Sequence, residues 1–172
     1  MPLNVTFILG GAASGKSAFA ESLCASTGKD KVYWATAQVF DAEMREKVSR
    51  HLTQRGENWT TVEEPETAAA VLDPLTTGQI CLVDCATMWL TNHLLADHDL
   101  AAATDELLSA INRCQADLVI VSNETGLGIV PENKLARRFR EAQGRLNIAL
   151  AARADTVVQV TAGLPLVLKG AL

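Results

Sequence analysis

The chain has 172 residues, 48% of them hydrophobic and 20% charged, with a formal net charge of -5 at pH 7. That length suits one domain with a sizeable core and is short for two ordinary ones. The composition is globular, which excludes a disordered chain, and the acidic balance argues against a nucleic-acid binder, so an anionic ligand would need a local basic site.

The opening MPLNVTFILGG has no basic stretch and no long apolar run, so no secretory leader is expected. No apolar segment reaches bilayer-spanning length, so no membrane span is expected either. Residues 4–9 (NVTFIL) read as a buried strand, and a helix follows from Ser17 to about Ala25. KVYWAT (31–36) reads as a second strand. Met44, Val48 and Leu52, four residues apart, predict a helix over 41–55. WTTVEEP (59–65) is a short strand stopped by Pro65. QICLVD (79–84) and DLVIVSNE (117–124) are strands that end in polar residues. Leu135, Phe139, Ala142, Leu146 and Leu150 mark a long amphipathic helix, with Pro131 just inside its start. Residues 156–169 read as a strand, a Gly/Pro turn and a short returning strand. The four cysteines, at 24, 81, 85 and 114, fit neither a zinc pattern nor a disulfide framework. Buried free thiols and a reduced, cytoplasmic setting are the simplest expectation.

Strands alternating with helices predict an α/β fold: a mostly parallel sheet covered on both faces, with an antiparallel strand near the C-terminus. Right-handed crossovers put the strand C-termini on one edge, where ligands of such sheets bind. Gly10, Thr36, Asp84, Asn123 and Glu124 should meet there. The stretch GGAASGKS (10–17) fits G-x-x-x-x-G-K-[ST] between a predicted strand and a predicted helix, the context that a phosphate-binding loop requires. Gly10, Gly11, Ala12, Ala13, Ser14 and Gly15 would turn backbone amides toward phosphate oxygens. The helix dipole adds partial positive charge. Lys16 would reach the β- and γ-phosphates, and Ser17 would offer a hydroxyl to Mg²⁺. Asp84 is either a second Mg²⁺ ligand or a helix N-cap, and both roles are compatible. Together these imply a P-loop NTPase of the RecA-like kind over residues 1–172, as a single domain.

Three further stretches narrow the class: residues 33–65, 82–95 and 121–155. They carry Y-x-A-T-A, then D-x-E-M, R-H, W and V-E-E-P, and finally N-E-x-G-x-G-x-V-P-E-N. With GGAASGKS they resemble the bifunctional adenosylcobinamide kinase / adenosylcobinamide-phosphate guanylyltransferase family of bacterial cobalamin assembly, over nearly the whole chain. The resemblance implies two reactions. ATP or GTP phosphorylates adenosylcobinamide on its aminopropanol hydroxyl. GTP then yields a covalent GMP–histidine enzyme and pyrophosphate, and the GMP passes to adenosylcobinamide phosphate to give adenosylcobinamide-GDP. The histidine of the R-H motif maps onto His51. Nucleotide-binding positions of the family map onto Ala35, Thr36, Ala37, Leu52, Thr53, Gln54, Arg55, Glu63 and Asp84. The family also implies a homotrimer.

The residues themselves leave alternatives open. A neutral imidazole is a competent nucleophile near pH 7, and Arg50 and Arg55 flank His51; an exposed helical histidine without a role is the alternative. His93 and His98 follow no comparable motif. Thr36 offers a hydroxyl or an amide to nucleotide, or simply favours a strand. Glu63 would accept hydrogen bonds from guanine or ribose, or be a solvated strand end. Asn123, Glu124 and Asn133 flank a Gly-containing loop suited to corrinoid or metal contacts. Lys134 and Arg137 lie closest to that loop, whereas Arg138, Arg140 and Arg145 read as a solvated face with Glu141. Glu124 and Asp84 are the candidate bases for the kinase step. The competing readings are a plain P-loop kinase, in which His51 does no chemistry, and a nucleotide-dependent switch without transferase activity.

Overall fold

The computed structural model describes residues 4–38, 42–43, 45–46, 49 and 58–172. Seven strands form one sheet: β1 (Val5–Gly10), β2 (Asp30–Ala35), β3 (Trp59–Glu63), β4 (Gln79–Asp84), β5 (Asp117–Asn123), β6 (Thr156–Thr161) and β7 (Leu164–Lys169). The described helices are α1 (Lys16–Ser26), α2 (Ala68–Leu72), α3 (Ala86–Leu95), α4 (Leu100–Arg113) and α5 (Lys134–Arg153). The strand order is β3-β2-β4-β5-β1-β6-β7. All neighbours run parallel except β6 and β7, which form an antiparallel hairpin at one edge. This is the predicted sheet, with the antiparallel strand where residues 156–169 put it.

Successive side chains of the central strands point to opposite faces. Val5 and Phe7 of β1, Cys81 and Val83 of β4, and Leu118 and Ile120 of β5 pack beneath α2, α3, α4 and α5. Ile8, Ile80, Leu82, Val119 and Val121 pack on the other face, against Ala20 and Cys24 of α1. Both faces of the inner strands are therefore dry, which explains their unbroken apolar runs.

Three helices go beyond the sequence expectation. α3 (ATMWLTNHLL) hides its period because it is buried nearly all round, with Ala86, Thr87, Trp89, Leu90, Asn92, His93 and Leu94 inside. α4 does show a period, burying Ala103, Leu107, Ala110 and Ile111, and Asp99 caps it by accepting from the amides of Ala101 and Ala102. α2 is a single short turn. Pro131 corrects the reading of the long helix. α5 starts at Lys134 behind an N-cap at Asn133, so the proline precedes the helix instead of opening it. Asn133 Oδ1 accepts from the amides of Leu135 (2.8 Å) and Ala136 (3.1 Å), a cap of the ordinary kind. Within 41–55, residues 42, 43, 45, 46 and 49 are helical; Met44, Val48 and Leu52 lie outside the described residues.

All four cysteines are free and buried. Burial pushes the Cys24 thiol up to about 12 and Cys85 to about 11, and raises Cys81 and Cys114 as well. The unfolded chain loses these protons first, near pH 8.5, so the folded state binds more protons above that pH and stability falls as pH rises. The thermal midpoint should drop between pH 8 and pH 10, with a shallower slope in Cys24→Ala. An unchanged slope in that variant would contradict the assignment.

Candidate functional site

The C-terminal ends of the parallel strands gather the expected residues. Ala35 of β2 lies in register with Glu63 of β3 on one side and Asp84 of β4 on the other. Gly10 of β1 is in register with Asn123 of β5. The phosphate loop leaves β1 at Gly10 and enters α1 at Lys16.

Gly15 adopts φ 92°, and a Cβ there would lie 2.9 Å from the Cα of Gly163 in the β6–β7 turn. A side chain at position 15 is thus excluded twice, by dihedral and by space. A Cβ on Gly10 would collide with the Ser14 hydroxyl and come within 2.7 Å of the Val160 carbonyl. The loop is also held by hydrogen bonds: the Ser14 amide donates to the Gly11 carbonyl (3.3 Å), and the Gly163 amide donates to the Ser14 carbonyl (2.7 Å).

Lys16 is buried, and its ammonium donates to the Gly11 carbonyl at 2.9 Å. Burial lowers its pKa from the ordinary lysine value, while Cys85 and Asp84 pull it back up. A desolvated ammonium with one carbonyl partner is poised for an anion. Ser17, in the first turn of α1, is half-buried, and its hydroxyl has no protein partner among the described residues.

Asp84 ends β4, and its Oδ2 accepts from the Tyr33 hydroxyl at 2.7 Å. Asp84 Oδ1 and the Ser17 hydroxyl, neither bonded among the described residues, are hard oxygen donors of the kind Mg²⁺ prefers. The N-cap position of α3 belongs to Cys85 and not to Asp84, so the capping alternative falls away.

Thr36 is fully buried. Its hydroxyl donates to the Cys85 carbonyl (2.8 Å) and accepts from the Cys85 amide (2.9 Å). Its own amide donates to the Asp84 carbonyl (3.3 Å). Asn92 of α3 donates to the carbonyls of Thr36 (2.7 Å) and Pro65 (2.8 Å). Thr36 therefore clamps the β4–α3 junction that carries Asp84. In Thr36→Val the Cys85 amide would lose its partner, while the Cys85 carbonyl keeps the Trp89 amide (3.1 Å); the cost is roughly 1–3 kcal/mol. Chemical denaturation should report that loss; a change below about 0.5 kcal/mol would mean the clamp is dispensable.

Glu64 is consumed locally: its Oε1 accepts from the amides of Glu66 (3.0 Å) and Thr67 (2.9 Å), ahead of α2. Glu63 is exposed at the end of β3, so it is the carboxylate available to a ligand. Ala35 and Ala37 are half-buried beside it. His51, Arg50, Leu52, Thr53, Gln54 and Arg55 lie outside the described residues.

Several positioning residues escaped the sequence reading. Tyr33, one strand residue in YWAT, orients Asp84. Beneath the edge, Gln143 donates to Ser122 (3.0 Å) and to Asn147 (2.8 Å), and Ser122 donates to Asn147 (2.7 Å). Asn147 donates to the Asn123 carbonyl (3.2 Å), while the Asn123 amide donates to Thr87 (2.9 Å). The four-residue spacing of Gln143 and Asn147 was the signal, but it looks like a solvated stripe until α5 is placed. His93 and His98 contact each other through Nδ1 atoms 3.0 Å apart, with His93 against Trp89. Among the described residues no three His, Cys, Asp or Glu side chains form a metal-holding group. No described helix is long and apolar enough to cross a membrane.

Sheet order, loop and strand-end acid define a P-loop NTPase of the RecA-like kind. Solved structures agree on the fold. A prototypical ATPase of a type III secretion system superposes with a TM-score of 0.58 at 10% identity, covering 92% of this chain. This chain spans about half (51%) of that ATPase. The RadB recombinase gives 0.51 at 14% identity, covering 91% of this chain and 73% of its own. Sequence comparison is more specific. The cobinamide kinase / cobinamide phosphate guanyltransferase family profile matches residues 6–168. The bifunctional adenosylcobalamin biosynthesis protein CobP of Pseudomonas aeruginosa is 45% identical over 95% of this chain and 96% of its own. CobU of Escherichia coli is 37% identical (94% and 98%), and CobU of Salmonella typhimurium 39% (94% and 98%). The chain belongs to the cobinamide kinase / cobinamide phosphate guanyltransferase family, and it is a bifunctional kinase and guanylyltransferase.

Proposed function

We propose that one active edge carries out both transfers in sequence. In the first, the aminopropanol hydroxyl of adenosylcobinamide attacks the γ-phosphorus of ATP or GTP; the nucleoside diphosphate leaves and the hydroxyl proton passes to a carboxylate, with Asp84 and Glu124 as candidates. In the second, a His51 ring nitrogen attacks the α-phosphorus of GTP and pyrophosphate leaves. A phosphate oxygen of adenosylcobinamide phosphate then attacks the same phosphorus. The P–N bond breaks, and adenosylcobinamide-GDP is formed.

The observation that carries this reading is the buried Lys16 ammonium inside a glycine-braced loop, with Asp84 close enough to influence its charge. Gly10, Gly11, Ala12, Ala13, Ser14 and Gly15 cradle the phosphates, and Lys16 neutralises charge that builds during transfer. Ser17 and Asp84 would hold Mg²⁺, which supplies further neutralisation when bound. Ala35 and Ala37 line the nucleotide beside Glu63, with Thr36 acting through the backbone that it fixes. Leu52, Thr53, Gln54 and Arg55 follow His51 and would bind the same nucleotide.

Residues 1–172 form one domain in this reading, supported by a single sheet with a core on each face. A cytoplasmic homotrimer is the proposed state. The support for assembly is β7, an edge strand whose Leu164, Leu166, Val167 and Leu168 are all exposed; such an edge calls for a cover.

Labelled GTP tests the scheme. Label at the γ-phosphate should appear in adenosylcobinamide phosphate. Label at the α-phosphate should appear first on the protein, in an acid-labile, base-stable bond, and then in the corrinoid. Phosphoryl transfer without a protein adduct would leave a plain P-loop kinase, and absence of both transfers would leave a nucleotide switch.

A further inference from the structure

The loop between β5 and α5, residues 124–133, is glycine-containing yet tightly braced. Arg140 donates to the carbonyls of Gly126 and Gly128, the latter at 2.9 Å. Arg137 donates to the carbonyls of Pro131 (2.9 Å) and Glu132 (2.5 Å). Glu124 Oε1 accepts from the Gly126 amide at 2.5 Å. Arg140, which reads as part of a solvated face, and Arg137, placed closest to the loop, are therefore spent on holding it.

The bracing has a consequence for the side chains. With the Gly126 and Gly128 carbonyls drawn toward Arg140, the intervening and following residues are turned outward. Leu127 is 86% exposed, Ile129 96% and Val130 66%. A mobile loop can fold such residues away; a loop fixed at five points cannot. Three large aliphatic side chains held in water without internal cover mark a surface built for a partner.

Position selects the partner. The root of the loop is joined to the phosphate loop, because the Glu124 amide donates to the Gly10 carbonyl at 3.0 Å. The loop thus starts from the edge at which the phosphoryl acceptor must arrive. A corrinoid acceptor presents a broad apolar ring rimmed by amides, and most of that ring lies far from the reacting hydroxyl.

We infer that Leu127, Ile129 and Val130 form a fixed apolar platform on which the corrinoid ring docks, so that its side chain reaches the phosphate loop. This inference rests on the corrinoid substrate of the preceding subsection. The exposed apolar strand β7 sits at the sheet edge beyond β6 and is a separate feature. Asn123 and Glu132 lie at the two ends of the platform, where amide groups of the ring periphery would meet polar side chains.

The test compares Leu127→Ser/Ile129→Ser with Ile129→Met, which keeps the apolar character. KM is measured separately for adenosylcobinamide and for the nucleotide, GMP incorporation is followed with GTP alone, and mass is followed by sedimentation over a range of protein concentrations. The serine pair should raise the KM for adenosylcobinamide about tenfold or more, from lost apolar contact. The KM for nucleotide, the GMP incorporation and the mass should stay as in the parent, and Ile129→Met should behave like the parent. An unchanged corrinoid KM overturns the inference. So does dissociation of the assembly in the serine pair, which would make a second copy of the chain the true occupant. A parent protein that phosphorylates no corrinoid would instead defeat the functional reading beneath it.

Discussion

Lys16→Ala should lower both transfers by about 10²–10³-fold, the usual loss when one preorganised charge-stabilising group is removed from a transfer site. The expectation rests on where the ammonium sits. It is buried, bonded to the Gly11 carbonyl, and lowered in pKa by desolvation with Asp84 and Cys85 opposing. A cation so placed interacts strongly with phosphate because little water screens it. In the proposed scheme one loop serves both reactions, so both should fall: the γ-phosphorus in one and the α-phosphorus in the other would belong to a triphosphate held at the same place. Steady-state rates of phosphoryl and GMP transfer decide it, with the thermal midpoint as a check on folding. Loss of one activity alone would mean that the two reactions use different nucleotide sites.

His51→Asn should separate the reactions. GMP transfer should fall by about 10⁴-fold or more, as when a covalent nucleophile is removed, while phosphorylation of adenosylcobinamide should stay within about threefold of the parent. In the proposed scheme the imidazole is needed only where a P–N bond would form. The measurement is retention of α-phosphate label on the protein together with the yield of adenosylcobinamide-GDP. A labelled adduct that persists in the variant would assign the nucleophile elsewhere. His51 lies outside the described residues, so this prediction stands on the R-H motif and on the family to which the chain belongs.

What the sequence revealed depended on how far apart the interacting residues lie. The phosphate loop was legible because strand, glycines, lysine and helix are contiguous. Strand ends such as Asp84 and Asn123 were legible because an apolar run stops abruptly at a polar residue. The orienting hydrogen bond from Tyr33 to Asp84 was not, since it spans 51 positions and exists only once β2 and β4 are neighbours. Thr36 illustrates a harder case. Its type and place suggested a ligand contact, yet its hydroxyl is occupied by the Cys85 backbone. α3 was hidden by burial on every side, which erases amphipathic period. α4 carries its signals in Asp99 and a buried stripe, yet the sequence reading assigned no helix there. Glu63 and Glu64 are adjacent and identical in type; only the location of α2 shows that one serves the backbone and the other faces outward.

The contact between Gly163 and the phosphate loop bears on the order in which the enzyme becomes competent. Gly15 and the Ser14 carbonyl are braced by the β6–β7 turn, some 150 residues downstream, as well as by their own strand and helix. During synthesis the GGAASGKS segment emerges well before its support in the β6–β7 turn. A ribosome-bound chain that still lacks β6 and β7 carries the whole phosphate motif without the amide that steadies it. A settled phosphate loop thus depends on the β6–β7 hairpin, the closing stitch of a site whose motif lies far earlier in the sequence.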